Sequence, residues 1–321
     1  MKQTKPHSGD APRSFACVTV DLDGLRCYRD IHGLEPRDAD VDPAYAIGVR
    51  RLLDLFEEHD IRATLFVIGH DVDNDAHADL LSEAAEAGHE LGNHTFSHDY
   101  ALPTRRRSEI EDDIARGEEA IARVTGQRPV GYRAPGYNIT DDISDIVRER
   151  GYLYDSSVFP CPPYYLAKAG IMGLQALVGR PSRSAMTPAR NLLAPIRPYL
   201  ADDHRVWRPS RDEVGLAEIP MALVPGIRFP VIGTSLHLLG RRGFDLVFPL
   251  LRRTYPQLFQ LEFHAIDFMD AHDEGAQDLV DVQPDLKVPW GDKKRLYDHI
   301  FERLTDYDAA EPLEHAVRAL F

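Results

Sequence analysis

Cysteine is scarce in this chain of 321 residues. Its three cysteines, Cys17, Cys27 and Cys161, cannot all pair within the chain, and their spacing matches no zinc ribbon. A fold held together by disulfide bonds is therefore not expected. The cysteines are best explained as reduced thiols, which predicts a cytoplasmic protein.

Long hydrophobic runs and an excess of basic residues are also missing. No stretch is long and apolar enough to span a bilayer, so we expect no transmembrane segment. Residues 1–14 are polar and lack the apolar centre of a signal peptide, so they are predicted to form a flexible N-terminus. The net charge of −15 argues against a nucleic-acid-binding surface and against general attraction to anionic membranes.

The chain does have the composition and the alternating pattern of an α/β protein. Hydrophobic residues make up 43% of it, which is enough for a substantial core. Strand and helix patterns alternate, with strands predicted at residues 15–20, 63–68, 89–92, 217–223 and 258–264 and helices at 44–58, 76–87, 106–124, 244–253, 293–304 and beyond 312. Such alternation implies a parallel sheet with helices outside, and ligand sites then lie at the carboxyl ends of the strands.

Residues 158–213 interrupt this alternation. They are rich in proline, and they contain the pair Tyr164 and Tyr165 and a partly apolar stretch at 171–178. Too few core positions remain for this segment to fold alone, so we predict one domain over residues 15–321 with an insertion or lid at 158–213. The apolar stretch could line a site for an amphiphilic substrate, but a packed lid helix is the favoured interpretation.

Two histidines and two aspartates follow predicted strands. His94 and His98 are four residues apart, a spacing that on a helix lets two imidazoles converge on one metal ion. With one carboxylate of Asp21 and Asp23 they make a three-ligand site, and the other carboxylate is free to act as a base. Alone, the histidine pair would more often be two unrelated polar residues in a turn. His89 lies five residues before His94, which excludes the shared helix face of a zincin motif and favours a structural role.

Two further segments carry residues suited to hydrolysis. Arg133 precedes Pro135 and Gly136, which suits a rigid loop that presents a bidentate donor to a carboxylate. His264 ends an apolar strand and is followed by Asp267. In isolation, the Arg133 segment is more often an ordinary Pro-Gly turn. His264 alone is more often a core histidine whose nitrogens are hydrogen-bonded. In a metal hydrolase, His264 would be the general acid.

Taken in this order, the segments resemble the motifs of the polysaccharide deacetylase family, the NodB-homology domains of carbohydrate esterase family 4. The family's first motif, usually Thr-Phe-Asp-Asp-Gly, is an Asp-x-Asp variant over residues 19–24, and the second motif matches fully at residues 94–98. In the third motif, Gly136 delays the family's aromatic to Tyr137. The family's Asp-Trp pair has no evident counterpart, although the segment around Asp155 resembles one that is common after the third motif.

The resemblance implies a fold and a set of roles. The fold is a distorted (β/α) barrel of about seven parallel strands. The metal is Zn²⁺, with Co²⁺, Ni²⁺ or Mn²⁺ as alternatives. The implied roles are Asp21 as base, Arg133 as its orienting partner, His264 as acid, Asp23, His94 and His98 as metal ligands, and Pro135, Tyr137 and Asp267 as substrate or oxyanion contacts.

The resemblance also implies an activity, the removal of an N-acyl group, most simply acetyl, from an amino sugar in a glycan or lipid-linked sugar. Two other hydrolases of the superfamily remain open, a deformylase and a cyclic-amide hydrolase like allantoinase. A hypothesis of another class is a non-catalytic metal-binding homologue, for which the missing Asp-Trp pair is the argument. A homo-oligomer is compatible with the sequence.

Overall fold

The computed structural model describes residues 14–37, 39–177, 184–212 and 214–321. The predicted flexible N-terminus therefore lies outside the described residues except for Ser14. The end of the apolar stretch at 171–178 lies outside them as well. In the part that is described, no helix combines the length and the apolar composition needed to cross a bilayer.

Strands and helices alternate through the chain as the sequence pattern predicts. The strands are β1 (Phe15–Asp21), β2 (Thr64–Val67), β3 (Glu90–Asn93), β4 (Gly131–Tyr132), β5 (Tyr154–Asp155), β6 (Tyr199–Asp202), β7 (Arg205–Pro209), β8 (Ala217–Glu218), β9 (Leu223–Val224), β10 (Phe229–Pro230), β11 (Leu258–His264) and β12 (Ala309–Ala310). The helices are α1 (Leu25–His32), α2 (Arg50–Glu58, preceded by a π-helical turn at Ala44–Val49), α3 (Asp75–Glu86), α4 (Arg107–Thr125), α5 (Asp141–Glu149), α6 (Pro162–Leu177), α7 (Gly233–Thr254), α8 (Trp290–Leu304) and α9 (Leu313–Leu320).

The principal sheet runs in the order β11-β1-β2-β3-β4-β5-β8, and every neighbouring pair along this path is parallel. The prediction of about seven parallel strands is thereby confirmed. β1 lies inside the sheet, and all seven of its residues are buried, as expected for a parallel strand covered on both faces.

The sheet is curled into a partial barrel. Ser156 follows β5 and Gln260 belongs to β11, which are separated in the sheet by β1 to β4. Their side chains nevertheless meet, with the Gln260 amide 2.9 Å from Ser156 Oγ. A flat sheet would hold these residues five strand spacings apart, roughly 24 Å. The interior of the curl is therefore polar here, and it lies directly below the carboxyl ends of the strands.

The second half of the chain differs from the sequence prediction in three places. The segment at 158–213 is more than a lid, because its strand β6 pairs antiparallel with β8 and extends the sheet through β7. The single strand predicted at 217–223 is two short strands, since Pro220 lies between β8 and β9 and proline cannot donate to a ladder. The helix predicted from residue 244 starts at Gly233, with a break at Gly240 (φ 58°) that hides its first turns from a periodicity count.

Candidate active site and metal centre

The predicted site residues come together at one edge of the sheet. Asp21 ends β1, His94 follows β3, Arg133 follows β4, and His264 ends β11. Because these strands are parallel and near one another in the sheet, their carboxyl ends meet. The register adds a direct pairing, since Asp21 lies opposite His264 in the ladder between β1 and β11.

Three of the residues face one another at metal-binding distances. Asp23 Oδ1 lies 3.2 Å from His98 Nε2 and 3.5 Å from His94 Nε2. Ligands at 2.0–2.1 Å from a tetrahedral ion are about 3.3–3.4 Å apart, so the spacing matches three corners of such a site. Asp23 Oδ1 and His98 Nε2 are buried and have no hydrogen-bond partner among the described residues. Buried polar atoms left unpaired in this way fit a bound cation.

The helix that the spacing of His94 and His98 suggested is wrong, because the pair lies in a turn after β3. Thr95 (φ 65°) and His98 (φ 56°) adopt left-handed backbone conformations. The turn is held by two side chains, since Asn93 Oδ1 accepts from the Thr95 N–H (2.9 Å) and Thr95 Oγ1 accepts from the His98 N–H (3.1 Å). This turn brings the two imidazole centroids to 4.8 Å.

The histidines are oriented by groups behind them. His94 Nδ1 lies 2.8 Å from the backbone oxygen of Arg133 and donates to it, which leaves the Nε2 lone pair directed at Asp23. The His98 ring packs edge-on against Tyr100, with centroids 4.7 Å apart. Burial by itself would raise the pKa of Asp23, but the adjacent His98 and His94 outweigh it and hold that pKa well below its usual range. Asp23 is therefore a carboxylate suited to ligation.

Arg133 is fully enclosed and holds Asp21 in place. One terminal nitrogen donates to Asp21 Oδ1 at 2.6 Å, and Nε donates to the Ser156 carbonyl at 2.8 Å. The second terminal nitrogen donates to Ser156 Oγ (2.9 Å) and Thr19 Oγ1 (3.1 Å). The guanidinium also lies over the ring of Phe66. With every nitrogen engaged, the guanidinium provides a fixed positive charge beside Asp21 and orients its carboxylate.

Glu262 is the functional residue that the sequence reasoning missed. Its carboxylate lies 3.0 Å from His264 Nδ1 and is 1% exposed, whereas the His264 side chain is 24% exposed and reaches the site. Burial opposes protonation of His264, but the charge of Glu262 outweighs it and raises the pKa of His264 well above its ordinary value. Glu262 and His264 are two apart on a strand and so share a face. The available signal was a single acidic residue inside a buried and mainly apolar strand.

Of the three residues predicted to contact substrate or oxyanion, Pro135 and Tyr137 lie near the site and Asp267 does not. Pro135 opens a tight turn, and Tyr137 follows it with its ring 6.5 Å from that of His264. The Tyr137 N–H donates to the Ala134 carbonyl, so this amide is already occupied within the turn. Asp267 does not face the site, because its Oδ2 accepts from the His264 N–H at 2.8 Å. It is a capping residue for the turn after β11, and its predicted substrate contact is corrected accordingly.

Two other residues singled out in the sequence lie away from the metal ligands. His89 Nδ1 accepts from the Ala63 N–H at 3.0 Å, in agreement with its predicted structural role. Asp155 is fully buried and accepts from the hydroxyl of Ser157. Glu218 is its register partner on β8, so two carboxyl groups lie side by side beneath the Arg133 loop.

Comparison with known proteins agrees with this geometry. The family model for polysaccharide deacetylase matches residues 41–154, which include His94, His98 and Arg133. A peptidoglycan deacetylase of Helicobacter pylori is 30% identical over 152 residues, covering 46% of this chain and 51% of that protein. A peptidoglycan-N-acetylglucosamine deacetylase of Bacillus cereus is 33% identical over 111 residues, covering 35% of this chain and 49% of that protein. The chain thus spans about half the length of these curated relatives.

Solved structures extend the likeness over the whole fold. A candidate polysaccharide deacetylase from Mycobacterium smegmatis superposes with a TM-score of 0.58 at 18% identity, covering 99% of this chain and 94% of the other. A probable polysaccharide deacetylase from Pseudomonas aeruginosa PAO1 gives a TM-score of 0.54 at 15% identity, covering 96% and 90%. At these identities the likeness concerns the fold. Over residues 41–154 the chain is similar to the polysaccharide deacetylase family, and over its whole length its fold is similar to those of the two solved structures.

Proposed function

We propose that this protein is a metal-dependent hydrolase that removes an N-acetyl group from an amino sugar in a glycan or a glycolipid. The observation that carries the proposal is the grouping of three distinct chemical roles at one sheet edge: a ligand set, a carboxylate locked by Arg133, and an imidazole paired with Glu262. The relatives named as peptidoglycan deacetylases support the substrate class.

Asp23, His94 and His98 would hold the metal. Two imidazoles and one carboxylate are the donor set of many catalytic zinc sites, so Zn²⁺ is proposed, with Co²⁺, Ni²⁺ and Mn²⁺ as alternatives. A divalent ion at this position would polarise the substrate carbonyl and make water a stronger nucleophile near neutral pH. The requirement for a metal is part of the proposal.

Asp21 would remove the proton from the attacking water. Its Oδ2 lies 3.8 Å from His94 Nε2, so this oxygen borders the metal ligands while Oδ1 is held by Arg133. Attack of the water oxygen on the amide carbon produces a tetrahedral oxyanion. The Tyr137 N–H is engaged within its own turn, so it is not assigned to this oxyanion.

His264, the register partner of Asp21, would act as the acid. In the protonated form favoured by Glu262, it donates a proton to the departing nitrogen as the carbon–nitrogen bond breaks. Glu262 holds the imidazole in orientation and stabilises its positive charge. The products are acetate and a free amino sugar.

The test combines metal content with acetate release. Purified protein is stripped with a chelator, reloaded with Zn²⁺, Co²⁺, Ni²⁺ or Mn²⁺, and assayed on N-acetylglucosamine oligomers and on peptidoglycan. His94→Ala is expected to lose both stoichiometric metal and activity. His315→Ala, which removes a half-exposed histidine on α9, is the matched control and is expected to retain both. Retention of both by His94→Ala would refute the proposal. A cytoplasmic location and self-association stay predictions.

A further inference from the structure

A second group of metal-ligating side chains lies beside the candidate metal centre. In the part of the chain that the structure describes, the residues Asp21, Glu262 and His264 each bring one ligand atom to within 4.8 Å of the other two. We call these three residues the second triad. They are the proposed base, the proposed acid and the carboxylate that pairs with the acid, so a cation bound among them would bear directly on the reaction.

The second triad is built on two neighbouring strands. Asp21 ends β1 and is the register partner of His264, which ends β11. Glu262 lies two residues before His264 on β11, and the two side chains therefore point to the same side of the sheet. Because the ladder between β1 and β11 fixes these positions, the three ligand atoms are brought together by regular structure.

Glu262 lacks the hydrogen bonds that a buried carboxylate needs. It is 1% exposed, and neither of its oxygens has a hydrogen-bond partner among the described residues. Its Oε1 lies 3.0 Å from His264 Nδ1, close enough for an ion pair. The candidate metal centre shows the same combination, since Asp23 Oδ1 and His98 Nε2 are 3.2 Å apart and both lack a hydrogen-bond partner. Buried ligand atoms that approach one another and stay unpaired are suited to a cation between them.

Asp21 borders both groups of ligands, and the charges around it set the order in which they fill. Its Oδ1 accepts from Arg133 at 2.6 Å, and its Oδ2 lies 3.8 Å from His94 Nε2. Two carboxylates give the second triad a charge of −2, which the guanidinium reduces to −1. A loaded candidate metal centre carries a net charge of +1 nearby, from one carboxylate and a divalent ion. A second ion is therefore attracted less strongly than the first.

We propose that the second triad binds a second divalent cation, more weakly than the candidate metal centre does, and that this ion inhibits hydrolysis. Two carboxylates and one imidazole suit Zn²⁺ and related first-row ions. The ion would engage the Asp21 lone pairs that proton abstraction requires. It would also bind His264 Nδ1, and the proton held there would pass to water. Binding of the second ion does not depend on the proposed function, whereas its inhibitory effect rests on it.

The experiment measures Zn²⁺ bound per chain by equilibrium dialysis against chelator-buffered Zn²⁺. The wild-type protein should bind one equivalent first, and a second at a free Zn²⁺ concentration about tenfold or more higher. Glu262→Gln and His264→Ala should retain the first equivalent and lose the second. Glu218→Gln is the matched control, because it changes another fully buried glutamate to glutamine outside both groups of ligands, and it should bind both equivalents. Circular dichroism should be the same in all four proteins.

Acetate release over the same range of Zn²⁺ tests the inhibition. Wild-type activity should be highest at one bound equivalent and should fall by about tenfold or more as the second equivalent binds. The lower activity of Glu262→Gln should stay level over this range, because the second ion has lost a ligand. A second equivalent that binds to the wild-type protein without lowering its activity would refute the inhibitory role.

Three outcomes would overturn the second cation site. These are a wild-type protein that binds one equivalent at every Zn²⁺ concentration, a second equivalent that persists in both Glu262→Gln and His264→Ala, and an equal loss of the second equivalent in Glu218→Gln. If no acetyl-amide substrate is hydrolysed while both equivalents bind as expected, the proposed function is wrong and the second cation site stands.

Discussion

Two aspartates of this protein occupy equivalent positions at the ends of their strands but have opposite neighbours. Asp21 ends β1 and Asp155 ends β5, both at the carboxyl edge of the sheet, and both are at least 98% buried. Asp21 faces the guanidinium of Arg133 at 2.6 Å. Asp155 faces another carboxyl group, that of Glu218. Asp21 thus has an ion-pair partner, whereas two adjacent buried acids retain a proton between them.

The pKa directions of the second pair follow from this difference. Burial raises the pKa of Asp155 to about 6. Burial, reinforced by the neighbouring Asp155, raises the pKa of Glu218 well above its ordinary value. Glu218 also accepts from the Val158 N–H at 2.9 Å, and Asp155 accepts from Ser157, whose Oγ accepts from the Ala134 N–H. The protonated pair therefore supports the loops around Arg133, while Asp21 is the proposed base.

Arg133→Met should have the largest effect, because it removes the cation from the Asp21 pair. A buried carboxylate left without its partner costs about 3–5 kcal/mol of unfolding free energy, and activity should be lost. Urea denaturation and acetate release measure the two effects. Arg133→Met combined with Asp21→Asn should recover much of the stability and none of the activity. An Arg133→Met protein of wild-type stability would contradict the assigned role of the ion pair.

Asp21→Asn and Asp155→Asn compare the two aspartates directly. Asparagine keeps a hydrogen-bond acceptor for Arg133 but is not a base, so Asp21→Asn should lower kcat by about 10²–10⁴ with metal content unchanged. Asp155→Asn should change kcat by less than about tenfold, because Asp155 touches neither the ligands nor His264. Steady-state kinetics with metal analysis provides the test. A similar loss of kcat in both variants would contradict the different roles proposed for Asp21 and Asp155.

Glu262→Gln tests a third buried carboxylate, which pairs with an imidazole. The charge of Glu262 raises the pKa of His264, so its removal should lower that pKa. His264 is the proposed acid, and the alkaline limb of the kcat profile should therefore move to lower pH, with kcat reduced by about 10–100-fold. The pH profile is the measurement. A variant with reduced kcat and an unshifted limb would indicate that Glu262 acts only in packing.

Glu218→Gln should have the smallest effect. The effect should be seen in the folding stability above about pH 6. The folded protein holds the shared proton more tightly than the unfolded chain, so wild-type stability falls as pH rises from the unfolded pKa through the folded one. Glutamine keeps the acceptor for Val158 and can donate to Asp155, so the decline should be smaller by on the order of 1–3 kcal/mol. Thermal unfolding between pH 5 and pH 9 measures it. Parallel curves for the two proteins would rule out a shared proton.

Much of the site could be predicted from local patterns. A strand that is buried along its whole length ends where polar residues begin, and that transition locates Asp21, Arg133 and His264 at strand ends. Parallel strands then bring these ends together without further information. The turn at 94–98 could not be predicted in the same way, because its left-handed residues are not glycines.

Contacts between distant segments were beyond the sequence. The pairing of Asp155 with Glu218 depends on β5 lying beside β8, and these are strands of two residues with almost no pattern of their own. The proline-rich segment joins the sheet through β6 for the same reason. Asp267 seemed a site residue because it is close to His264 in sequence, yet the turn after β11 directs its carboxylate back to the His264 amide.

The sequence by itself determined the class of fold, the residue types of the candidate metal site and the edge of the sheet where they lie, because these follow from hydrophobic period, side-chain chemistry and parallel connection. The tertiary structure decided that Asp21 meets Arg133, that Asp155 meets Glu218, and that Glu262 pairs with His264. Those properties depend on the neighbours that each side chain meets through space. Burial makes these neighbours decisive, since a charge removed from water is governed by the few groups that remain in contact with it.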